Sequence, residues 1–169
     1  MFTIVSGTNR KGNQSVKIAK IYKKLLKEKG IEAGLISLEK IDVSQQNEAL
    51  KKLEQEVVIP TKHFIFIVPE YNGSFPGILK MFFDNTSNHK IWGHKDALLT
   101  GVSSGRAGNL RGLDHLSDVL NYLKITVHPN KLPISSIEKL VDENGELTDA
   151  DTLVTVKKQL DEYLDWIKK

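Results

Sequence analysis

The 169-residue sequence contains no cysteine, which excludes disulfide bonds, thiolate catalysis and metal sites built on thiolates. No apolar run approaches the ~20 residues of a membrane-spanning helix. The N-terminal residues, MFTIVSG, lack the basic segment and the long apolar segment of a signal peptide. We therefore expect a cytoplasmic protein with no membrane partner.

Side-chain groupings that mark other chemistries are also missing. No Ser/His/Asp grouping or pair of catalytic carboxylates stands out, and His89 and His94 lack a third partner at metal-ligand spacing. We interpret Asp114-His115 as an exposed helix face. The net charge of +3 comes largely from a lysine-rich stretch, residues 11–29, that has few interleaved arginine and aromatic residues. We expect a solvated helix there, with no nucleic-acid partner and no metal.

What is present is an ordinary globular composition, with 40% hydrophobic and 27% charged residues. The length fits one domain, residues 1–169, whose core buries about 70% of the unfolded surface. Short apolar runs alternate with helical patterns along the chain. We predict five strands, Phe2–Val5, Ile31–Leu38, His63–Val68, Ala97–Ser103 and Ile125–Val127. We predict five helices, one from Ile18 to Gly30 and then Gln46–Val57, Phe75–Asn85, Leu110–Leu123 and Thr148–Lys169.

This alternation predicts an α/β fold, a doubly wound five-stranded parallel sheet with right-handed crossovers and helices on both faces. Ligands bind such sheets beyond the carboxyl ends of the strands, where the winding direction reverses. The loops after strands one, three and four therefore hold the candidate site. We call them loop one (residues 6–15), loop two (69–77) and loop three (103–109).

Loop one reads SGTNRKGNQS and leads from a strand into a helix. The free N–H groups and partial positive charge of a helix N-terminus suit an anion. It is not a P-loop, because Asn13-Gln14 stand where Lys-Ser/Thr is required, and the G-x-G-x-x-G fingerprint is absent. Two interpretations stay open: a phosphate cradle with Arg10 as charge partner, or a polar turn with Ser15 as the helix cap.

Loop two has two prolines and two glycines in nine residues, which fix its backbone. Rigid backbone groups beside Tyr71 suit a flat heteroaromatic ring with polar edges. A stiff structural turn would explain the prolines and glycines, but not Tyr71-Asn72 between them. Loop three, SSGRAGN, has small residues that let a ligand approach the backbone, and alone it is weak evidence.

The runs SGTNRKGNQS, PEYNGSFPGILK and SSGRAGNLRG closely resemble those of the NAD(P)H-dependent FMN reductase family. That family has a flavodoxin-like fold and includes flavin, azo-dye, quinone and chromate reductases. The resemblance covers essentially the whole chain. It implies that hydride passes from NADPH or NADH to bound FMN, and electrons then pass to a second small molecule. The acceptor would be a free flavin, a quinone, an azo compound or a metal oxyanion.

The resemblance also implies roles for individual residues. The FMN phosphate would be held by Ser6, Thr8, Arg10 and Ser15. The isoalloxazine ring would be lined by Pro69, Glu70, Tyr71, Asn72, Gly73 and Ser74, and closed on its other side by Ser103, Ser104 and Gly105. No catalytic side chain is assigned, because the cofactor carries the chemistry.

The chain departs from this family at two points. Ser15 stands where many relatives have Asn, which shortens one phosphate contact. Arg106-Ala107 stand where many relatives have a second glycine pair, at the end of the site that would receive the nicotinamide. Candidates for binding the 2′-phosphate of NADPH are Arg106, Arg111 and Lys11.

Two other functions compete with a reductase. A flavodoxin-type electron carrier would bind FMN and dock protein partners, but flavodoxins are strongly acidic and lack the PEYNGS loop. A flavin-free protein-interaction module of the same fold would leave the hydroxyl-lined loop one unexplained.

The helix after loop two predicts a homodimer, or a tetramer built from it. Six apolar side chains cover more than half of its circumference, and they are Phe75, Ile78, Leu79, Met81, Phe82 and Phe83. Relatives of the family place this helix at a two-fold interface. In the alternative interpretation, the loop around Trp92 or the final helix covers it. Lys80 and Asp84 would pair with each other or across the interface.

Overall fold

A computed structural model describes residues 1–168 of the chain. The strands are β1 (Phe2–Ser6), β2 (Ala33–Ser37), β3 (His63–Pro69), β4 (Lys95–Val102), β5 (Ile125–Val127) and β6 (Leu132–Ile134). The helices are α1 (Gln14–Glu28), α2 (Glu48–Leu53), α3 (Gly77–Asp84), α4 (Leu110–Tyr122) and α5 (Ala150–Trp166). The predicted elements are therefore confirmed with ends shifted by a few residues, while Lys169 lies outside the described residues.

The strands form a parallel sheet in the order β2-β1-β3-β4-β5. This order is that of flavodoxin-like folds, and the winding direction reverses between β1 and β3. Loops one and two leave the sheet at that point from neighbouring strands, so the topology brings them together. No helix within the described residues is long and apolar enough to cross a membrane.

The fifth strand is interrupted, which the sequence analysis did not predict. β5 pairs with the first half of β4 and β6 pairs with its second half. The side-chain amide of Gln159, on α5, donates to the carbonyl of Leu99 at 3.0 Å and to that of Asn130 at 2.9 Å. This side chain thus supplies a hydrogen-bond donor to β4 where strand pairing lapses.

Helices cover both faces of the sheet, as predicted. α1 and α5 pack on one face around Ile18, Tyr22 and Leu160, and the other face is covered by α2, α3 and α4. The five residues Phe64–Val68 of β3 are fully buried, as expected of a central strand with helices on both sides.

Helix α3 is covered mainly from within the chain. The buried ring of Trp92 lies 5.3 Å from that of Phe82 and 4.9 Å from that of Phe83, both edge-on. Phe82 is fully buried and Phe83 is 2% exposed. The Trp92 loop thus covers these two rings, as in the alternative interpretation, and no second subunit is needed to bury them. The homodimer stays a prediction. Met81 remains 45% exposed.

Candidate functional site

Loop one ends in a helix cap made by Asn13. Its side-chain oxygen accepts from the N–H of Val16 at 2.9 Å and from the hydroxyl of Ser6 at 3.2 Å. The interpretation of Ser15 as the cap is therefore wrong, because α1 begins at Gln14 and Ser15 already lies in the helix. The hydroxyl of Ser15 is buried and has no hydrogen-bond partner.

Thr8 and Arg10 both contact Tyr71 of loop two. The hydroxyls of Thr8 and Tyr71 are 2.5 Å apart, and the guanidinium of Arg10 lies 4.0 Å from the centre of the Tyr71 ring. The Tyr71 side chain thus points toward loop one, although its backbone belongs to loop two. Cation and ring attract each other in this arrangement, which holds the two loops together.

A cavity of about 200 Å³ lies where the three loops meet. Eight of the thirteen predicted site residues line it, and they are Thr8, Arg10, Ser15, Pro69, Glu70, Tyr71, Ser103 and Ser104. Ser6 is buried beneath the loop, where its hydroxyl holds Asn13. The other four, Asn72, Gly73, Ser74 and Gly105, lie in the same loops but outside the lining.

Loop two contains a tight hairpin turn. Tyr71 and Ser74 exchange backbone hydrogen bonds of 2.8 and 3.1 Å, with φ of 51° at Asn72 and 77° at Gly73 between them. Two consecutive positive φ values define a type I′ turn, which favours Asn-Gly. The Asn72-Gly73 pair therefore has a structural reason that the sequence analysis overlooked.

The first turns of α4 pack on this hairpin. The hydroxyl of Ser74 lies 2.9 Å from Nδ1 of His115. A Cβ atom at Gly73 would fall 2.9 Å from Nη1 of Arg111, so the glycine makes room for that guanidinium. The interpretation of His115 as only an exposed helix face missed this contact, because no local pattern relates it to loop two.

Loop three is attached to the segment after β6. The N–H of Ser103 donates to Ile134, and the carbonyl of Ser103 accepts from Ile137. The Ser103 hydroxyl donates to the carbonyl of Gly105 at 2.9 Å, and the Ser104 hydroxyl donates to Glu138 at 2.9 Å. Ile137 also lines the cavity, and no local pattern in the sequence points to it.

A second buried polar atom at the cavity was not predicted. Oε1 of Gln14 is buried without a hydrogen-bond partner, and Gln14 lines the cavity beside Ser15. Buried polar atoms without a partner are rare in folded proteins. Two of them on adjacent residues make the start of α1 a candidate position for binding a ligand.

Three side chains with shifted pKa values lie away from the cavity between the three loops. Burial raises the pKa of Tyr22, which shares a buried hydrogen-bond network with Thr100 and Gln159. Burial lowers the pKa of His63, against the opposing effect of Asp96, and it also lowers the pKa of His128. None of these six side chains lines the cavity.

A larger groove of about 700 Å³ runs along the C-terminal ends of α3 and α4. Lys80, Asp84, Asp118 and Tyr122 line it, and Lys80 and Asp84 pair with each other at 2.7 Å within α3. The groove contains neither a predicted site residue nor a buried polar atom without a partner among the described residues. We therefore place the candidate site at the smaller cavity.

Comparison with known proteins gives concordant matches. The family described as NADPH-dependent FMN reductase matches residues 2–139. A 2-hydroxy-1,4-benzoquinone reductase from Burkholderia sp is 26% identical over 142 residues, 82% of this chain and 78% of that protein. A quinone reductase from Pseudomonas putida is 26% identical over 175 residues, 98% of this chain and 93% of that protein.

A solved structure shares the fold. The flavoenzyme NAD(P)H:(acceptor) oxidoreductase from Paracoccus denitrificans superposes with a TM-score of 0.82 and 23% identity, over 99% of this chain and 96% of that one. The family match covers most of the chain and includes all three loops. The chain therefore belongs to the NADPH-dependent FMN reductase family, as an oxidoreductase of flavodoxin-like fold that uses FMN and NAD(P)H.

Proposed function

We propose that the chain reduces quinones with electrons from NADPH, using FMN held at the cavity between loops one, two and three. The observation that carries this proposal is the buried hydroxyl of Ser15, which has no hydrogen-bond partner among residues 1–168 and lies in the first turn of α1. Helix N-termini bind phosphate through free N–H groups and the helix dipole. The residues of loop one therefore fit the phosphate of FMN.

In this proposal the phosphate is bound by Ser15, Thr8 and Arg10, together with the N–H groups at the start of α1 that precede the N–H of Val16, which Asn13 already occupies. Arg10 is exposed and forms no ion pair within residues 1–168, so its charge is available to an anion. Ser6 acts indirectly, because its hydroxyl is bonded to the capping Asn13. The Tyr71 hydroxyl belongs to the same cluster through Thr8.

The flavin ring is assigned to loops two and three. The cavity of about 200 Å³ is smaller than the ~300–1,000 Å³ of pockets that enclose whole ligands. It would hold the phosphate end, and the rest would lie along Pro69–Ser74 and Ser103–Gly105. FMN supplies the chemistry, accepting hydride from a nicotinamide and passing electrons to a second acceptor. The protein holds the reactants in place and excludes water.

We propose a preference for NADPH over NADH because positively charged side chains lie in and beside the candidate loops. The chain has only three arginines, Arg10, Arg106 and Arg111, and all three lie in or beside the candidate loops. Arginine binds phosphate through a planar set of donors. We propose that Arg106 and Arg111, with Lys11, receive the 2′-phosphate of NADPH. Replacing Arg111 by Gln would then lower kcat/KM for NADPH and leave kcat/KM for NADH unchanged.

A quinone is the acceptor class that the relatives favour, since two of them are named as reductases of a quinone. The cytoplasm, where the hydride donor is made and consumed, is the proposed location. The proposed unit is a single domain of residues 1–169.

A homodimer is proposed on the exposed side of α3, around Met81. Light scattering of the wild type and of Met81→Glu tests the proposed dimer. Met81 is chosen because it is exposed, whereas Phe82 is buried and its substitution would disturb the core.

One set of spectra tests the central proposal. The purified protein should bind FMN in preference to riboflavin, and NADPH should bleach the bound flavin. Arg10→Ala should weaken FMN binding by about 1.5–3 kcal/mol, while Lys20→Ala, an exposed cation on α1, should not change it. Steady-state kinetics with a quinone should be ping-pong. A flavin that stays oxidised under excess NADPH and NADH, yet is reduced by dithionite, would instead support an electron carrier.

A further inference from the structure

Asn109 occupies a strained position between loop three and α4. Its φ is 65°, in the left-handed region, and the residue is fully buried. A residue other than glycine costs free energy in this conformation and keeps it only when its surroundings hold it there. Asparagine tolerates the conformation better than most residues do.

The side-chain amide of Asn109 binds the end of β3. Its Nδ2 donates to the carbonyl of Val68 at 3.0 Å and to that of Pro69 at 3.1 Å. Loop two leaves the sheet from these two residues. The next residue, Glu70, donates its N–H to the carbonyl of Val102 at 2.9 Å. The start of loop two is therefore held between the end of β4 and one side chain of loop three.

Two glycines fit closely around this amide. A Cβ atom at Gly101 would fall 3.1 Å from the Cβ of Asn109, and one at Gly112 would fall 2.0 Å from its Oδ1. The same Cβ at Gly112 would also lie 2.7 Å from the backbone of Ser74. β4, α4 and loop two thus enclose Asn109 on separate sides and fix its position.

We propose that Asn109 is a positioning residue that sets the spacing and orientation of loops two and three, and thereby of the part of the site that receives the flavin ring. Within residues 1–168, the hydrogen bonds of its side chain go to Val68 and Pro69, and none goes to loop one. Its effect is therefore on the ring and not on the phosphate. This inference rests on the proposed function, in which loops two and three flank the ring.

The variant Asn109→Gly tests this role, because glycine adopts positive φ freely and only the amide is lost. We expect weaker binding of FMN and of riboflavin by the same factor, about tenfold. We also expect a shifted midpoint potential of the bound flavin, and reduction by NADPH slowed by about tenfold to a hundredfold. The ratio of FMN to riboflavin affinity should stay at the wild-type value, whereas Ser15→Ala should lower that ratio.

Two further variants separate positioning from stability. Asn121→Gly, at an exposed position of the same helix, lowers helix stability and should leave flavin affinity and potential unchanged. Asn109→Asp keeps the size and the tolerance of positive φ but places a buried carboxyl group against the carbonyls of Val68 and Pro69, which is costly, so it should weaken flavin binding at least as much as Asn109→Gly does. Wild-type affinity and potential in both Asn109 variants would overturn the inference, and so would a loss confined to FMN. Failure of the wild type to bind FMN would instead refute the proposed function.

Discussion

The buried hydroxyl of Ser15 leads us to predict two opposite effects of the substitution Ser15→Ala, one on the stability of the flavin-free protein and one on FMN binding. An unpartnered buried polar group destabilises a protein by about 1–3 kcal/mol, so Ser15→Ala should stabilise the flavin-free protein. We expect the low end, about 1 kcal/mol, because the removed oxygen leaves a small void. For a protein of this size that corresponds to a melting temperature raised by roughly 2–4 °C.

The same substitution should weaken FMN binding. A hydrogen bond to a charged group contributes about 1.5–3 kcal/mol, so the dissociation constant for FMN should rise by about tenfold to about 150-fold. Riboflavin, which lacks the phosphate, should bind as to the wild type. Thermal melts without ligand, with FMN and with riboflavin, together with fluorescence titrations, measure both effects.

Ser37 provides the matched control. Its hydroxyl is also buried without a partner, but it ends β2 and does not line the cavity. Ser37→Ala should therefore stabilise the protein and leave FMN affinity unchanged. The reasoning fails if Ser15→Ala melts below the wild type without ligand, or if it binds FMN as tightly as the wild type does.

Three further predictions concern stability. Burial lowers the pKa of His63 and His128 below 6.5 in the folded state, so the unfolded chain binds more protons. Stability should be full above about pH 6.5 and fall below it, and thermal melts of wild type and His128→Gln should show a smaller fall for the variant. Trp92→Ala should cost about 3–5 kcal/mol in urea unfolding, as for other buried aromatic rings; a cost below 1 kcal/mol would contradict the packing on α3. Gln159→Leu should cost about 2–4 kcal/mol by leaving two carbonyls without a donor, and unchanged stability would contradict its role between β5 and β6.

Much of the fold could be predicted, because its elements are encoded locally. The run His63–Val68 is apolar on nearly every residue, which is the pattern of a strand covered on both faces, and β3 is that strand. The interruption of the fifth strand could not be predicted. It depends on the Gln159 amide reaching Leu99 and Asn130 from a helix that lies far along the chain.

The covering of α3 could not be predicted for a similar reason. The sequence shows that most of its residues are apolar, but it does not show which neighbour covers them. The short helical turn His89–Trp92 brings one indole ring onto both Phe82 and Phe83. A partner from the same chain and a partner from a second copy give the same sequence pattern.

In the site, the positions of the loops are predictable from the sequence, but the roles of their residues are less so. Asn13 departs from the P-loop pattern, yet its role as the cap of α1 shows only in the structure. Asn109 was not singled out, because its partners Val68 and Pro69 lie in another loop. The residue types that bind a ligand are the same as those that hold a loop in place, so only the structure distinguishes the two roles.

Residues that hold a loop and residues that bind a ligand differ in whether their polar atoms form hydrogen bonds within the protein. Asn72 and Gly73 form a type I′ turn, so their presence in loop two follows from backbone geometry whether or not a flavin lies beside them. Ser103 likewise uses its hydroxyl within its own loop. Gln14 and Ser15 have no such internal use, since their buried side-chain oxygens form no hydrogen bond with any residue that the structure describes. A buried orphan atom alone is not sufficient, because Ser37 has one away from the cavity. The combination of orphan atoms, a helix N-terminus and a cavity shared by three loops is what supports the proposal that loop one binds the phosphate.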